Sequence, residues 1–304
     1  MNLLAMKFPA LIAALLLSLP LRAAPPLTVP VPALSKTPTV DGRIDEWGNL
    51  KWTKVAVKPA LERAERTKFG LGAEDDHNLT GSLTVELKAG VADGRIFLAL
   101  RYPDNQADTE HRPWEWGGDK YIEGRLREDM FAVRFHMAGD FDRSMLTTHD
   151  YKADVWLWSA ARTDPQGLAE DQVHHITTSM LENAAEYSMS ESGKTIYIRK
   201  QRDTGKPSYR MLPRPRENKG AKLAPFATQE ASGSVADVAA KGIWSKGYWH
   251  LEFSRVLDTG QPDDVAFKPG EKVLGQIAVF NRGYSEHKSI SELLLFDFSA
   301  LTVR

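Results

Sequence analysis

The chain has 304 residues, of which 39 are Lys or Arg and 40 are Asp or Glu, so its formal net charge is −1. This near-neutral balance gives no electrostatic basis for binding nucleic acid. The sequence contains no cysteine. That excludes disulfides, thiolate catalysis, thiolate zinc sites, iron–sulfur clusters and covalent haem attachment through a C-x-x-C-H motif. Any metal ligand must therefore be a histidine, methionine, lysine, tyrosine or carboxylate.

Residues 1–24 have the features of a secretory signal peptide. Lys7 precedes an apolar run of about 14 residues, whereas a membrane-spanning helix needs roughly 20. The small residues Ala23 and Ala24 close the run and mark the expected cleavage site. The sequence thus predicts export to the periplasm, with an uncleaved membrane anchor as the alternative.

The rest of the chain divides into a Pro-rich leader, residues 25–37, and one expected domain, residues 38–304, which begins with the segment VDGRIDEW. Alternating apolar and polar residues predict strands and hairpins separated by Gly, Pro and Asp turns. A long polar insertion, rich in Pro, Gly and charge, is expected around residues 202–240. The predicted strand and hairpin segments are 51–57, 82–102, 128–137, 153–161, 194–201, 242–256, 272–281 and 292–298.

Short strands without strand–helix alternation favour an all-β fold. We expect an antiparallel β-sandwich of the jelly-roll kind, similar to family 9 carbohydrate-binding modules, with long loops and few short helices. One strand makes the alternation explicit. Met130 and Ala132 should lie on one of its faces, and Phe131 and Val133 on the other.

The stretch 142–172 carries the residues with the most distinctive chemistry. Met145 offers a soft, uncharged thioether and His149 an imidazole, and both groups serve as ligands of haem iron. Trp156 and Trp158 follow on a predicted strand, where alternation places them on the same face. This pattern is typical of two arrangements. One is a ligand and wall for a flat apolar cofactor, and the other is a well-packed core strand beside a polar turn.

Three segments carry a family resemblance: VDGRIDEW at residues 40–47, ADVWLWSAARTDPQG at residues 153–167 downstream of Met145, and EHKSISELLLFDF at residues 286–298. Together they resemble the haem-binding β-sandwich family of ethylbenzene dehydrogenase and dimethylsulfide dehydrogenase gamma subunits. The resemblance covers roughly residues 38–301. The first segment is weakly specific, because carbohydrate-binding sandwiches begin in the same way, whereas the other two are more specific.

The resemblance implies a non-covalent b-type haem within the sandwich, with methionine and lysine as axial ligands. Carried over to this chain, these ligands are Met145 and Lys288. Leu157 stands where some relatives carry a histidine, and the spacing from Met145 to the first tryptophan is slightly long. His149 and His287 therefore remain alternative ligands.

The resemblance also implies a function. A haem with two protein ligands has no open coordination position, so we expect a non-catalytic protein that transfers electrons. Its expected partners are subunits of a molybdopterin oxidoreductase or another cytochrome. The sequence has no Gly-x-Ser-x-Gly, phosphate-loop or zinc-hydrolase motif. His174 and His175 resemble a metal pair, but neighbours on a strand point to opposite faces, which argues against a shared metal.

Two other functions remain open. A carbohydrate-binding module without haem would use Trp114, Trp116 or Tyr121, in an aromatic-rich loop, as stacking platforms for sugar rings. A haem-free interaction domain would keep the sandwich and lack the cofactor, and Leu157 favours this interpretation.

Overall fold

The computed structural model describes residues 25–69, 71, 78–189, 192–283 and 288–301. The predicted signal peptide and His287 lie outside the described residues. The helical segments of the described ranges are α1 (Arg63–Lys68) and single 3-10 turns at Ile44–Trp47, Asp164–Gln166 and Ser234–Ala236. The strands are β1 (Leu27–Pro30), β2 (Thr53–Pro59), β3 (Leu83–Ala92), β4 (Arg95–Pro103), β5 (Trp114–Trp116), β6 (Tyr121–Glu123), β7 (Met130–Gly139), β8 (Tyr151–Ser159), β9 (Glu170–Thr177), β10 (Ala185–Ser188), β11 (Thr195–Arg202), β12 (Tyr209–Met211), β13 (Lys222–Leu223), β14 (Phe226–Thr228), β15 (Ala239–Ser245), β16 (Tyr248–Val256), β17 (Lys272–Phe280), β18 (Ser289–Ser291) and β19 (Leu294–Asp297).

The main sheet forms two layers that pack face to face. The first layer has the strand order β10-β11-β9-β8-β7-β17, and the second has the order β2-β3-β4-β16-β15. Strand β18 joins them, because it pairs with β17 on one side and with β2 on the other. The prediction of an all-β antiparallel sandwich is confirmed. Among the described strands, only β1 and β19 pair in parallel.

The core between the layers follows from alternation along the strands. Phe131 and Val133 of β7 point inward, as predicted, and so do Trp156 and Trp158 of β8. The second layer contributes a complementary set of aliphatic and aromatic side chains: Val85, Leu87, Leu98, Leu100, Leu251 and Phe253. Burial of this apolar surface is the main force that holds a disulfide-free sandwich together.

The first layer is apolar on its outer face as well. Met130 and Ala132 of β7 and Val155 of β8 lie on this face in a second apolar cluster. Residues 140–150, which connect β7 to β8, cover part of it and pack Met145 against it. The outer face of the first layer is therefore a second place where apolar groups are withdrawn from water.

Two further segments add to the two layers, and the first of them places Val29 in the core between them. The leader contributes β1, which adds to the sheet beside β19. The predicted insertion contains the small β12–β14 sheet and β13, which pairs with β5. The predicted boundaries of leader, domain and insertion stay predictions. In the described ranges, no helix has the length and apolar character needed to cross a lipid bilayer.

Candidate functional site

A cavity of about 330 Å³ lies on the outer face of the first layer. Its floor includes Ala132, Val155 and Ala278, which point outward from adjacent strands. Ala132 and Ala278 are directly paired between β7 and β17. Because the side chains of Ala132 and Ala278 are single methyl groups, they leave a space above the strands that larger residues would fill. Ligand and cofactor sites commonly have volumes of roughly 300–1,000 Å³.

Met145 and Lys288 both line this cavity, although they are far apart in the sequence. Met145 lies in the connection between β7 and β8, and Lys288 directly precedes β18. The Nζ atom of Lys288 is 5.8 Å from the centroid of the Phe280 ring, which also lines the cavity. The fold thus brings together the thioether and the amine that were predicted as a ligand pair.

A buried polar pair, Arg134 and Gln276, ties the two segments to the same strands. Arg134 donates to the carbonyl oxygen of Arg143 at 3.1 Å and to the side-chain oxygen of Gln276. Gln276 donates from Nε2 to the carbonyl oxygens of Arg143 and Ser291, at 3.0 and 2.8 Å. These bonds fix the loop that carries Met145 and the strand that follows Lys288. Loss of either buried side chain would leave its partner unsatisfied.

The backbone at Lys288 has its own anchors. Its carbonyl oxygen accepts hydrogen bonds from the Ala60 amide at 2.9 Å and from Nδ2 of Asn78 at 3.1 Å. The same Asn78 amide is 3.1 Å from Oγ of Ser289. The position of the lysine backbone is therefore set by two separate parts of the chain, at Ala60 and at Asn78.

Asp142 shapes the loop that carries Met145. Its carboxylate accepts hydrogen bonds from the Ser144 amide at 3.0 Å and from Oγ1 of Thr147 at 2.8 Å. His149 lies at the exposed end of this loop, where its Nδ1 is 3.0 Å from the same carboxylate. His149 does not line the cavity, so the structure separates it from the Met145 and Lys288 pair.

The charged side chains that line the cavity are basic. Arg134, Arg143, Lys200 and Lys288 contribute to its wall, and no carboxylate side chain does so among the described residues. Arg143 pairs with Glu292, which lies outside the cavity, at 3.2 Å. An apolar floor with basic groups around it suits a ligand that combines an apolar ring with carboxylates.

His174 also lines the cavity, and sequence reasoning did not select it. Burial, followed by the positive charge of Lys200, holds its pKa well below the usual value, so the imidazole is neutral. The amide of Gln172 donates to Glu170, so its oxygen faces Nε2 of His174 at 3.0 Å. Nε2 is then the protonated nitrogen, and Nδ1 carries a buried lone pair without a hydrogen-bond partner in the described chain.

The two tryptophans of β8 lie on the opposite side of the first layer from the cavity. Trp156 packs edge to face against Phe135 with ring centroids 4.9 Å apart, and Trp158 packs against Trp249 at the same distance. Neither tryptophan lines the cavity. The shared face of Trp156 and Trp158 was foreseen, but that face is directed at the sandwich core. Val155, which precedes Trp156 and points to the opposite face, is the β8 residue at the cavity.

The aromatic loop does not form an open sugar platform around Tyr121. Tyr121 is fully buried, and its hydroxyl donates to the carbonyl oxygen of Gly220 at 2.7 Å and accepts from the amide of Lys219 at 2.9 Å. Its ring packs edge to face on Trp116 with centroids 5.0 Å apart. The contacts of Tyr121 fasten the polar insertion to β5 and β6, which is a structural role.

Comparisons with known proteins place these features in a family context. The family model described as ethylbenzene dehydrogenase matches residues 45–291. No curated protein matches the chain significantly. Among solved structures, a family 9 carbohydrate-binding module from Caldicellulosiruptor kristjanssonii in complex with glucose aligns with 10% identity and a TM-score of 0.36. The alignment covers 90% of this chain and 87% of that protein.

Proposed function

Because the chain belongs to the ethylbenzene dehydrogenase family, we propose that it binds a b-type haem without a covalent bond and transfers electrons as an exported subunit of an oxidoreductase complex. The observation that carries this proposal is the convergence of Met145 and Lys288 on one apolar cavity. The cavity lies on the outer face of the first layer, so the proposed site is there and not between the two layers.

The residues around the cavity fit a haem in three respects. The paired methyl groups of Ala132 and Ala278 leave room above the floor for a flat apolar ring. Met145 offers a soft ligand for iron. Arg143 and Lys200 are basic groups that can meet the two propionates. When bound, the haem supplies a one-electron redox centre whose potential methionine ligation tends to raise.

The lysine ligand has an energetic requirement. From an ordinary pKa near 10.4, deprotonating a lysine at pH 7 costs about 4.6 kcal/mol, and bonding to iron has to offset this cost. The anchored backbone of Lys288 supports such a bond, because it holds the residue beside the cavity, where the amine lies 5.8 Å from the centroid of the Phe280 ring. The neutral imidazole of His174 carries no comparable cost, which makes it the alternative ligand from within the cavity.

The proposed ligand pair also limits the chemistry. If Met145 and Lys288 both held the iron, no coordination position would remain for a substrate, which favours electron transfer over catalysis. The partner would be a molybdopterin oxidoreductase subunit or another cytochrome. Export through the signal peptide at residues 1–24 would place this chain in the periplasm, where its partner would also have to act.

Absorption spectroscopy tests the proposal directly. The full chain, with its signal peptide, would be produced in a haem-supplied host, and the exported protein would be purified. We expect a Soret band and a pyridine haemochrome of the b type. A folded protein that shows neither would overturn the proposal.

Two substitutions test the ligand assignment. Met145→Ala and Lys288→Ala should each change the axial ligation seen in the absorption and electron paramagnetic resonance spectra. The matched controls are Met180→Ala, in a side chain that is 84% exposed, and Lys268→Ala on the surface. Unchanged spectra in both cavity variants would remove the assignment, and His174→Ala would then be examined by the same spectra.

A further inference from the structure

A second group of functional side chains lies on the inner side of β8 and β9, on the opposite side of the first layer from the cavity. Arg255 of β16 reaches it from the second layer and is fully buried. It lies among aromatic residues, with its guanidinium 5.0 Å from the centroid of the Trp156 ring. The cluster consists of Arg255 and six aspartates: Asp154, Asp171, Asp203, Asp237, Asp263 and Asp264.

The guanidinium of Arg255 forms ion pairs with three of these carboxylates. Nη1 of Arg255 lies 2.8 Å from Asp154, 3.1 Å from Asp171 and 2.9 Å from Asp264. Oxygens of these three aspartates lie within 4.8 Å of one another. This inner half of the cluster therefore has a cation in the structure, although one positive charge faces three carboxylates.

In the outer half of the cluster, Asp264 is the one member with an ion pair among the described residues, and its partner is Arg255. Oxygens of Asp203, Asp263 and Asp264 also lie within 4.8 Å of one another. Asp263 accepts weak hydrogen bonds, at 3.4 Å, from the Thr204 amide and from Oγ of Ser234. Asp264 is the member that both halves share. In the part of the chain that the structure describes, Asp203 and Asp263 thus belong to a dense group of oxygens and have no ion-pair partner of their own.

Asp203 is the observation that points to a ligand. It is only 7% exposed, and both of its carboxylate oxygens are buried without a hydrogen-bond partner in the described chain. One oxygen of Asp237 is buried and unpartnered as well. Buried carboxylate oxygens are costly to leave unpaired and are normally satisfied by hydrogen bonds, paired charges or metals.

We propose that the outer half of this cluster is a calcium site, with Asp203, Asp263 and Asp264 as carboxylate ligands. All of the available ligand atoms are oxygens, which suit hard cations and not softer metals such as copper or zinc. Calcium accepts 6–8 oxygens in flexible geometry, whereas magnesium demands a near-ideal octahedron and retains several waters. The three aspartates come from two irregular segments, the end of β11 and the loop between β16 and β17, and this irregularity favours calcium.

The site would connect two separate parts of the fold. Asp203 starts the polar insertion, and Asp263 and Asp264 belong to the loop that leads from the second layer to β17. A divalent ion between them would hold the insertion against the sandwich. The proposal is independent of haem, because its ligands lie on the inner side of the layer and the haem cavity lies on the outer face.

Calcium titration of the whole purified protein tests the proposal. Protein stripped with a chelator should gain thermal stability when CaCl2 is added, with a smaller gain from MgCl2 at the same concentration. Isothermal titration should give one calcium ion per chain. Failure of CaCl2 to bind or to stabilise the protein would overturn the proposal, and stronger stabilisation by MgCl2 would overturn the choice of calcium.

An isosteric variant separates a cation site from a set of protonated carboxyl groups. Asp203→Asn should weaken calcium binding by at least about tenfold, the scale on which altered metal-site residues act. Asp258→Asn, in the same loop between β16 and β17 but outside the cluster, is the matched control and should bind calcium normally. If Asp203→Asn binds calcium as the unsubstituted protein does, the assignment fails. The haem spectrum of each preparation reports separately on the other proposal.

Discussion

Strands β8 and β9 carry different chemistry on their two faces. On the outer face, Val155 and His174 border a cavity whose charged lining is basic. On the inner side, Asp154 and Asp171 belong to a buried cluster in which carboxylates outnumber the guanidinium. Since neighbouring residues of a strand point to opposite faces, a step of one residue along either strand separates the two environments.

Burial changes proton affinity in opposite directions on the two sides. It lowers the pKa of His174 and raises the pKa of Asp171, since in both cases it disfavours the charged form. His174 can be buried without a partner charge, because its neutral imidazole keeps a lone pair. The aspartates need protons or cations. The basic lining of the cavity therefore suits a neutral or anionic apolar group, whereas the buried carboxylates of the cluster suit positive charge.

Arg255→Met should produce the largest effect. It removes the cation that three buried carboxylates share, and breaking a buried ion pair by removing one partner typically costs about 3–5 kcal/mol. Urea denaturation would measure the free energy of unfolding. The control is Arg101→Met, since Arg101 pairs with Glu86 at a partly exposed position where about 1 kcal/mol or less is expected. Equal losses in the two variants would contradict the charge imbalance described for the cluster.

Adding bulk to one side at a time should separate haem binding from stability. Ala278→Leu adds volume at the cavity floor, so we expect loss of the Soret band and little change in the stability of the haem-free protein. Ala89→Leu, in the core between the layers, should instead destabilise the protein by about 1–3 kcal/mol and leave the haem spectrum intact. Absorption spectra and thermal unfolding of both variants check this. Haem retention in Ala278→Leu would exclude this cavity as the binding site.

The histidine of the cavity predicts a pH dependence. The folded pKa of His174 lies below its unfolded value near 6.5, so the unfolded state binds more protons in the range between them. The stability that this provides is present above pH 6.5 and is lost as pH falls toward the folded pKa, by at most about 1.4 kcal/mol per pH unit. His174→Gln should reduce this slope in the haem-free protein. Urea midpoints at pH 5, 6 and 7 would measure it, and unchanged slopes would contradict the prediction.

His149→Gln should have the smallest effect. Its ring is half exposed at the loop end and pairs with Asp142, an arrangement worth roughly 0–1 kcal/mol. We expect a change in unfolding free energy below about 0.5 kcal/mol and an unaltered haem spectrum. An altered spectrum would make His149 a candidate haem ligand again.

Much of the fold could be predicted because alternation specifies faces. The inward direction of Phe131 and Val133, and the shared face of Trp156 and Trp158, follow from a period of two. Alternation does not specify which face encloses a cavity. In this protein the residues around Trp156 are apolar on both sides, so the large aromatic pair was a poor guide. The residue that marked the cavity was Ala132, whose small side chain leaves space on the outer face.

The sites differ in how much of each could be predicted from the sequence. The pairing of Met145 with Lys288 came from family resemblance, since no local pattern connects two residues so far apart. His174 was noticed only as half of a doublet, and its burial depends on how β9 packs. The acidic cluster gave no signal at all. Its aspartates come from five separate segments, in a chain where Asp and Glu total 40, and only the fold brings them together.

The parallel pairing of β1 with β19 has a consequence for the order of folding. Val29 is fully buried, and its register partner is Phe296, so the first strand described lies against one of the last. Contacts between such distant residues make chain closure slow. A chain that is synthesised from its N-terminus therefore keeps this edge of the sheet open until nearly all of the sequence has been made. Removal of residues 294–301 would expose Val29 in the finished protein.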